Sequence, residues 1–491
     1  MIKVLIAAAE AVPFAKTGGL GDVIGSLPKE LIKQGVDARV IMPNYQEIPE
    51  DFKAQMVFKN HFFVQVGWRQ QYCGIFEFVY EGVTFYFVDN EYYFKRHGFY
   101  GYPDDAERFG FFCRAVVEFL DQMDFMPDII HCHDWHTGMV SVLLDAHYNT
   151  KPGHKEIKTL FTIHNLGYQG VFSQDILHDI LSLDWKYFTP EGVEFNNAVN
   201  FMKGGLAYSD MISTVSRSYA QEIQDPYFGK ELDGFLRKRQ KDLVGIVNGI
   251  DYDIYNPAKD KGIFSQYDVN NLENKSKNKT ELQARLGLPV REDVPVIALV
   301  SRLVGAKGLD LIERMFQDLM KQAAATGKEL YDVQLVILGT GEARYENFFK
   351  YMAWQYPGKV SANIMFDEDL AHQIYAGADM FLMPSLYEPC GIGQLIAMRY
   401  GCLPIVREIG GLRDTVKSYD EQTTEGNGFT FVNYNAHEML DTIHWALKTF
   451  ANKECWNKIV RNAMNSDYSW RKSASEYKEI YEKLTTSKVL S

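Results

Sequence analysis

The chain offers no framework of paired cysteines. Its six, Cys73, Cys113, Cys132, Cys390, Cys402 and Cys455, are scattered through 491 residues without a C-x-x-C pair. That spacing argues against a disulfide scaffold or a structural zinc site and fits a reducing compartment. No apolar run approaches the roughly 20 residues that span a bilayer. Met1-Ile2-Lys3 leads straight into an apolar run, without the cationic segment, apolar core and cleavage site of a leader. A cytoplasmic location is therefore the expectation. Cationic excess is also lacking. A formal charge of −13 disfavours general binding to nucleic acid or to an anionic membrane. An anionic ligand would need cations gathered locally. Nor does a G-x-G-x-x-G turn follow the first strand candidate, so a nicotinamide fingerprint is missing.

What is present begins with Lys16-Thr17-Gly18-Gly19-Leu20-Gly21-Asp22-Val23. It follows an apolar run at 4–9, read as a buried strand, and precedes an apolar-periodic segment at 23–34, read as a helix. Strand, glycine turn and helix form the context in which backbone N–H groups can meet an anion. Gly18 and Gly19 let the backbone approach a ligand, and Lys16 adds a mobile positive charge. Further on, β-rich stretches at 62–66, 73–79 and 84–89 predict an antiparallel or mixed excursion. An aromatic, polar loop at 91–103 follows, where stacking on sugar rings is plausible. Short apolar strands then run into His133-Asp134-Trp135-His136 and His164-Asn165-Leu166-Gly167. Strands alternating with helices predict a mainly parallel, doubly wound sheet, whose ligands lie beyond the carboxyl ends of the strands. Lys16, Asp134 and His164 each sit just past such an end, which places them on one rim.

Residues 256–279 are polar and rich in Asn, Lys and Asp, the best boundary by composition. A second series of strand, glycine turn and helix follows from 294. The pattern predicts an α/β fold of two Rossmann-like domains, 1–245 and 246–467, with a C-terminal helix in 468–491. In the second series Arg302 and Lys307 bracket the loop after the first strand. A guanidinium grips phosphate with two hydrogen bonds and an ammonium acts as a point charge, so the pair suits a diphosphate. The densest stretch is 384–394. There Gly391 and Gly393 offer backbone N–H groups at a helix start, beside Cys390 and Ile392, and Glu388 can accept hydrogen bonds from ring hydroxyls. Glycines for phosphate next to a carboxylate for hydroxyls suit a nucleotide sugar.

Two patterns suggest metal. In the run from His131 to His136, however, strand geometry turns His131 and His133 to one face and Cys132 to the other. Asp251-Tyr252-Asp253 and Asp367-Glu368-Asp369 match a D-x-D pattern that arises readily in an acidic chain. No metal site is expected.

Taken together and in this order, the lysine-led turn, Cys132-His133-Asp134-Trp135-His136, Thr162-Ile163-His164-Asn165, Val247-Asn248-Gly249-Ile250-Asp251, Ser301-Arg302-Leu303 with Lys307-Gly308, and 384–394 resemble the bacterial glycogen synthases of the starch synthase-like family. The resemblance runs nearly end to end. It implies the GT-B architecture, two domains facing each other across a deep cleft, with the C-terminal helix returning to the first. It implies glucose transfer from ADP-glucose, with retention, to the non-reducing end of an α-1,4-glucan such as glycogen. No metal and no cofactor beyond this co-substrate is implied. By the same resemblance Lys16 contacts the donor diphosphate, His164 positions the glucosyl unit, and Glu388 binds glucose hydroxyls. Asp134, Asn248 and Glu10 line the glucose and acceptor side, and Phe366 stacks on adenine. Ile396 stands where many retaining GT-B enzymes carry a second glutamate, which narrows the likeness to this family. Gly393 replaces a threonine of many relatives. A UDP-glucose-dependent relative and a non-enzymatic glucan-binding scaffold are the alternatives.

Overall fold

The computed structural model describes residues 1–320 and 332–486. It divides into two units: Met1–Asn248 with the chain from Trp470 onward, and Gly249–Ser469. The sequence reading puts these breaks at 245/246 and 467/468, and residues 487–491 of its last segment lie outside the described residues.

The first unit is built on a nine-stranded sheet. From one edge its strands are Leu243–Gly245, Met211–Thr214, Lys158–Ile163, Ile129–His133, Lys3–Ala7, Asp37–Pro43, Val83–Asp89, Arg69–Tyr80 and Val57–Val66. The first seven run parallel, Arg69–Tyr80 runs against them, and Val57–Val66 pairs antiparallel with it. Val4, Leu5, Ile6 and Ala7 are all fully buried, as a central parallel strand covered on both faces requires. The antiparallel hairpin instead alternates, with Phe63 outward and Val64 inward. Helix Trp470–Thr486 belongs to this unit and packs on helix Gly19–Lys33. It buries Trp470, Ala474, Tyr477, Ile480, Tyr481 and Leu484, the stripe its 3.6-residue period predicts.

The second unit holds a six-stranded, wholly parallel sheet. Its order is Val360–Asn363, Gln334–Leu338, Val296–Val300, Met380–Met383, Leu403–Arg407 and Phe429–Phe431. The polar stretch expected to mark a boundary lies inside this unit. Its end opens helix Glu273–Arg285, packed on helix Glu368–Gly377. Composition misleads here because the buried polar groups are satisfied. Lys275 Nζ donates to the carbonyls of Ala376 and Ala378, and Gln283 Nε2 donates to Gln334 Oε1.

Each sheet reverses its winding once. In the first unit the reversal falls between Lys3–Ala7 and Ile129–His133, and in the second between Val296–Val300 and Met380–Met383. At such a switch point adjacent loops part and leave room beyond the strand ends.

Candidate active-site residues in the two units

In the first unit, the residues past the strand ends converge on two carboxylates. Glu10 is 3% exposed. Its Oε2 accepts from Thr17 N (2.5 Å) and Gly18 N (3.4 Å), and its Oε1 accepts from Thr17 Oγ1 (2.6 Å) and Tyr100 Oη (2.7 Å). This alters the expected role of the glycine turn, since its first amides hold the Glu10 carboxylate. Gly18 has an extended φ of −159°, and a Cβ there would meet nothing within 4 Å. It is open space, not backbone conformation, that glycine preserves. Gly19 opens the helix, and Lys16 pairs with Asp22 at 2.8 Å.

Asp134 holds φ at +56°, a conformation that costs a non-glycine residue on the order of 1–3 kcal/mol. The compensation is visible. Its Oδ1 accepts from His164 N (2.8 Å) and Asn165 N (3.4 Å), so one carboxylate joins two neighbouring strand ends. Desolvation pushes the Asp134 carboxyl up to about 7, against those amides and with help from the Glu10 charge. His164 Nε2 lies 2.9 Å from His133 Nδ1. The centroid of the His133 ring lies 4.0 Å from that of the tilted His131 ring, whose nitrogens meet Tyr481 Oη and Thr162 Oγ1. Burial drives His164 and His136 down to about 3, and His131 and His133 well below the usual range. The cluster is thus a set of neutral imidazoles. Asn248 is 4% exposed, and its Oδ1 has no hydrogen-bond partner among the described residues. Such a buried acceptor suits a ligand donor.

In the second unit Arg302 is exposed and makes no ion pair among the described residues. Lys307 closes the short turn Gly305–Lys307. Gly308 follows at φ +72°, where a Cβ would strike the Pro384 carbonyl. That close approach brings Lys307 to the 384–394 loop. Lys307 Nζ meets Glu388 Oε2 at 2.5 Å, and Ser385 Oγ donates to the same oxygen at 3.0 Å. The residues expected to divide a donor between them are here paired with each other. Gly410 and Gly411 let a neighbouring helix press on the loop. Gly411 N donates to the Glu388 carbonyl, and a Cβ on Gly410 would strike it. Gly391 has φ +74°, and Gly393 begins the short helix Gly393–Arg399. Cys390 is buried and Ile392 half-buried in the same loop. Phe366 is 80% exposed between strand Val360–Asn363 and helix Glu368–Gly377.

The D-x-D tripeptides do local work. Asp251 Oδ1 accepts from Asp253 N, and Asp367 caps its helix by accepting from Leu370 N. Among the described residues no group of three or more His, Cys, Asp or Glu could hold a metal ion, and no helix is long and apolar enough to cross a membrane. Ser385 and Gln394 lie inside the 384–394 stretch with no role assigned from sequence, and Arg407 lies outside it. Arg407 Nη1 donates to the Leu386 carbonyl, and Gln394 Nε2 donates to those of Cys390 and Gly391. These side chains hold loop backbone, for which sequence carries no periodic signal. Tyr100 lay within the noted aromatic loop but was not singled out.

Residues 3–238 match the family described as the starch synthase catalytic domain, and 281–463 match glycosyl transferases group 1. The chain is 54% identical to a glycogen synthase of Geobacillus thermodenitrificans, over 98% of each chain. It is 55% identical to one of Clostridium acetobutylicum, over 98% of this chain and 99% of that one. Among solved structures it is similar to the catalytic domain of starch synthase IV from Arabidopsis thaliana bound to ADP and acarbose. That match has a TM-score of 0.89 and 34% identity, and covers 99% of each chain. A sucrose-phosphate synthase from Thermosynechococcus elongatus shares the fold, at a TM-score of 0.62 and 15% identity.

Proposed function

The chain belongs to the glycogen synthase family, and we infer that the residue clusters described in its units serve glucosyl transfer from a nucleotide sugar. It has the GT-B architecture and is a retaining glucosyltransferase that moves glucose from ADP-glucose in glycogen synthesis. The acceptor is the non-reducing end of an α-1,4-glucan. The observation that carries the residue assignment is the Lys307–Glu388 pair at the second switch point, with Arg302 exposed beside it in sequence.

A bound donor would divide that pair. Lys307 and Arg302 take the diphosphate, and Glu388 turns to the glucose hydroxyls. Lys16, on its glycine turn, adds a third cation to the diphosphate, and Gly391 and Gly393 let backbone amides approach it. Phe366 supplies an exposed ring for adenine. His164 and Asp134 orient the glucosyl unit, with Asn248 beside it on the donor and Glu10 on the acceptor side. As the anomeric C–O bond breaks, negative charge grows on the departing phosphate, where fixed cations stabilise it. The acceptor hydroxyl attacks from the same face and gives its proton to that phosphate, which yields retention without a covalent intermediate. A neutral His164 adds no positive charge near the anomeric carbon as it becomes electron-poor.

Protein cations do the work a divalent metal does elsewhere, so turnover should survive chelation. The six free thiols accord with a cytoplasmic setting. ADP release in the presence of glycogen, with ADP-glucose and UDP-glucose in competition, tests the reading. No ADP from ADP-glucose, or preferred use of UDP-glucose, would overturn it.

A further inference from the structure

His133 lies at the end of strand Ile129–His133, fully buried, one residue before Asp134. Its Nδ1 is 2.9 Å from His164 Nε2, close enough for one hydrogen bond between the two rings. Its Nε2 is buried and has no hydrogen-bond partner among the described residues. On one side it packs at a tilt against His131, whose ring is fixed at both nitrogens by Tyr481 Oη and Thr162 Oγ1.

We propose that His133 is a positioning residue that locks His164 as the Nδ1–H tautomer, and so fixes which of its nitrogens can donate to the sugar. The reasoning is one of proton accounting. A neutral imidazole carries one N–H. Only one proton can lie between the two facing nitrogens. If it belonged to His164, His133 would carry its own hydrogen on Nε2, as a buried donor with no acceptor. Orphaned buried N–H groups are the rarer and costlier kind of unmade hydrogen bond. Placed on His133 Nδ1, the hydrogen points at His164 Nε2, and the orphan is only a lone pair. His164 then has Nε2 committed as an acceptor and carries its hydrogen on Nδ1. Burial keeps both rings neutral, so the arrangement is not erased by a second proton. The strand also restricts the ring, because His133 is held between its backbone and the tilted His131 ring.

The role in turnover rests on the glucosyltransferase reading above, whereas the tautomer does not. The test is long-range 15N–1H correlation of histidine-labelled protein, with His164 assigned from a His164→Gln variant. Wild type should show His164 protonated on Nδ1. His133→Phe keeps the ring and removes the donor. It should leave His164 in a mixture of tautomers and lower kcat roughly 10- to 100-fold, with the donor KM within about threefold. His133→Asn returns an N–H near the Nδ1 position and should restore the tautomer and most of kcat. A wild-type His164 protonated on Nε2 would overturn the proposal, and so would His133→Phe with unchanged tautomer or kcat. Should His133→Phe fail to fold, the wild-type and His133→Asn spectra decide. A correct tautomer in a protein that releases no ADP would instead overturn the proposed function.

Discussion

The two units place their functional residues at the same topological position and fill it with opposite chemistry. At the first switch point the interior groups are neutral imidazoles and two hydrogen-bonded carboxylates, and the cation of the glycine turn, Lys16, is paired with Asp22. At the second, a lysine and a glutamate face each other directly and an arginine stands exposed. Groups already satisfied by their neighbours are stiff and discriminate shape and hydroxyl geometry. Lys307 and Glu388, with Ser385 as the carboxylate's other partner, can exchange each other for a ligand. The fold supplies the location in both cases, and the side chains decide whether it orients or stabilises charge.

The sharpest break is to remove the charges of the second unit. Arg302→Ala and Lys307→Ala should each lower kcat about 10²- to 10³-fold, the scale of losing one preorganised stabiliser of a leaving group. Their stabilities should differ. Arg302 has no ion-pair partner among the described residues, so its loss should leave Tm unchanged. Lys307→Ala leaves Glu388, whose side chain is 10% exposed, with Ser385 alone, at a cost of about 1–3 kcal/mol. Adding Glu388→Gln should recover the Tm of Lys307→Ala but not its activity. Near-wild-type turnover in Arg302→Ala would remove the diphosphate clamp.

Acid should separate the units by stability. Imidazoles titrate near 6.5 when unfolded, while His131, His133, His136 and His164 are held well below that value by burial. Their contribution is whole above 6.5 and is lost as pH falls, because the unfolded chain takes up protons the folded one refuses. Asp134 acts in the opposite sense. Raised to about 7, it favours the fold below its ordinary value near 3.8, and that support is lost as pH rises through 7. Four imidazoles outweigh one carboxyl. The first unit should therefore melt roughly 5 °C or more lower at pH 5 than at pH 7. A melting profile flat across that range would contradict the neutral cluster.

The two-domain, parallel-sheet fold was legible because buried strands read as uninterrupted apolar runs, as at Val4 to Ala7, and because the last helix shows its stripe from Trp470 to Leu484. Glycine turns after strands marked where chemistry gathers. What sequence could not convey was pairing. It showed Lys307 and Glu388 as separate ligands, not as partners across 81 positions. It offered the amides of Thr17 and Gly18 to an anion without showing that Glu10 holds them. It marked residues 256–279 as a boundary by composition, because satisfaction of a buried Lys275 depends on contacts made by folding.

A milder break concerns binding alone. Phe366 is exposed and contributes nothing to a core, so Phe366→Ala should leave Tm unchanged. Loss of a stacked ring should raise the ADP-glucose KM about 10-fold at nearly constant kcat, in keeping with about 1.4 kcal/mol for an aromatic pair. An unchanged KM would move the adenine elsewhere.

The smallest effect falls at Tyr100, where the aromatic loop meets the glycine turn through Glu10. Tyr100→Phe deletes one of four hydrogen bonds to that carboxylate and keeps the ring beside His136, 4.4 Å away. Glu10 then retains Thr17 and Gly18, so the turn should hold. The loss should be about 1 kcal/mol, roughly fivefold in kcat/KM for the glucan with donor KM unchanged. If donor KM rises instead, Glu10 serves the diphosphate turn rather than the acceptor. The neutral unit would then share in binding charge, and the contrast between the two units would soften to one of degree.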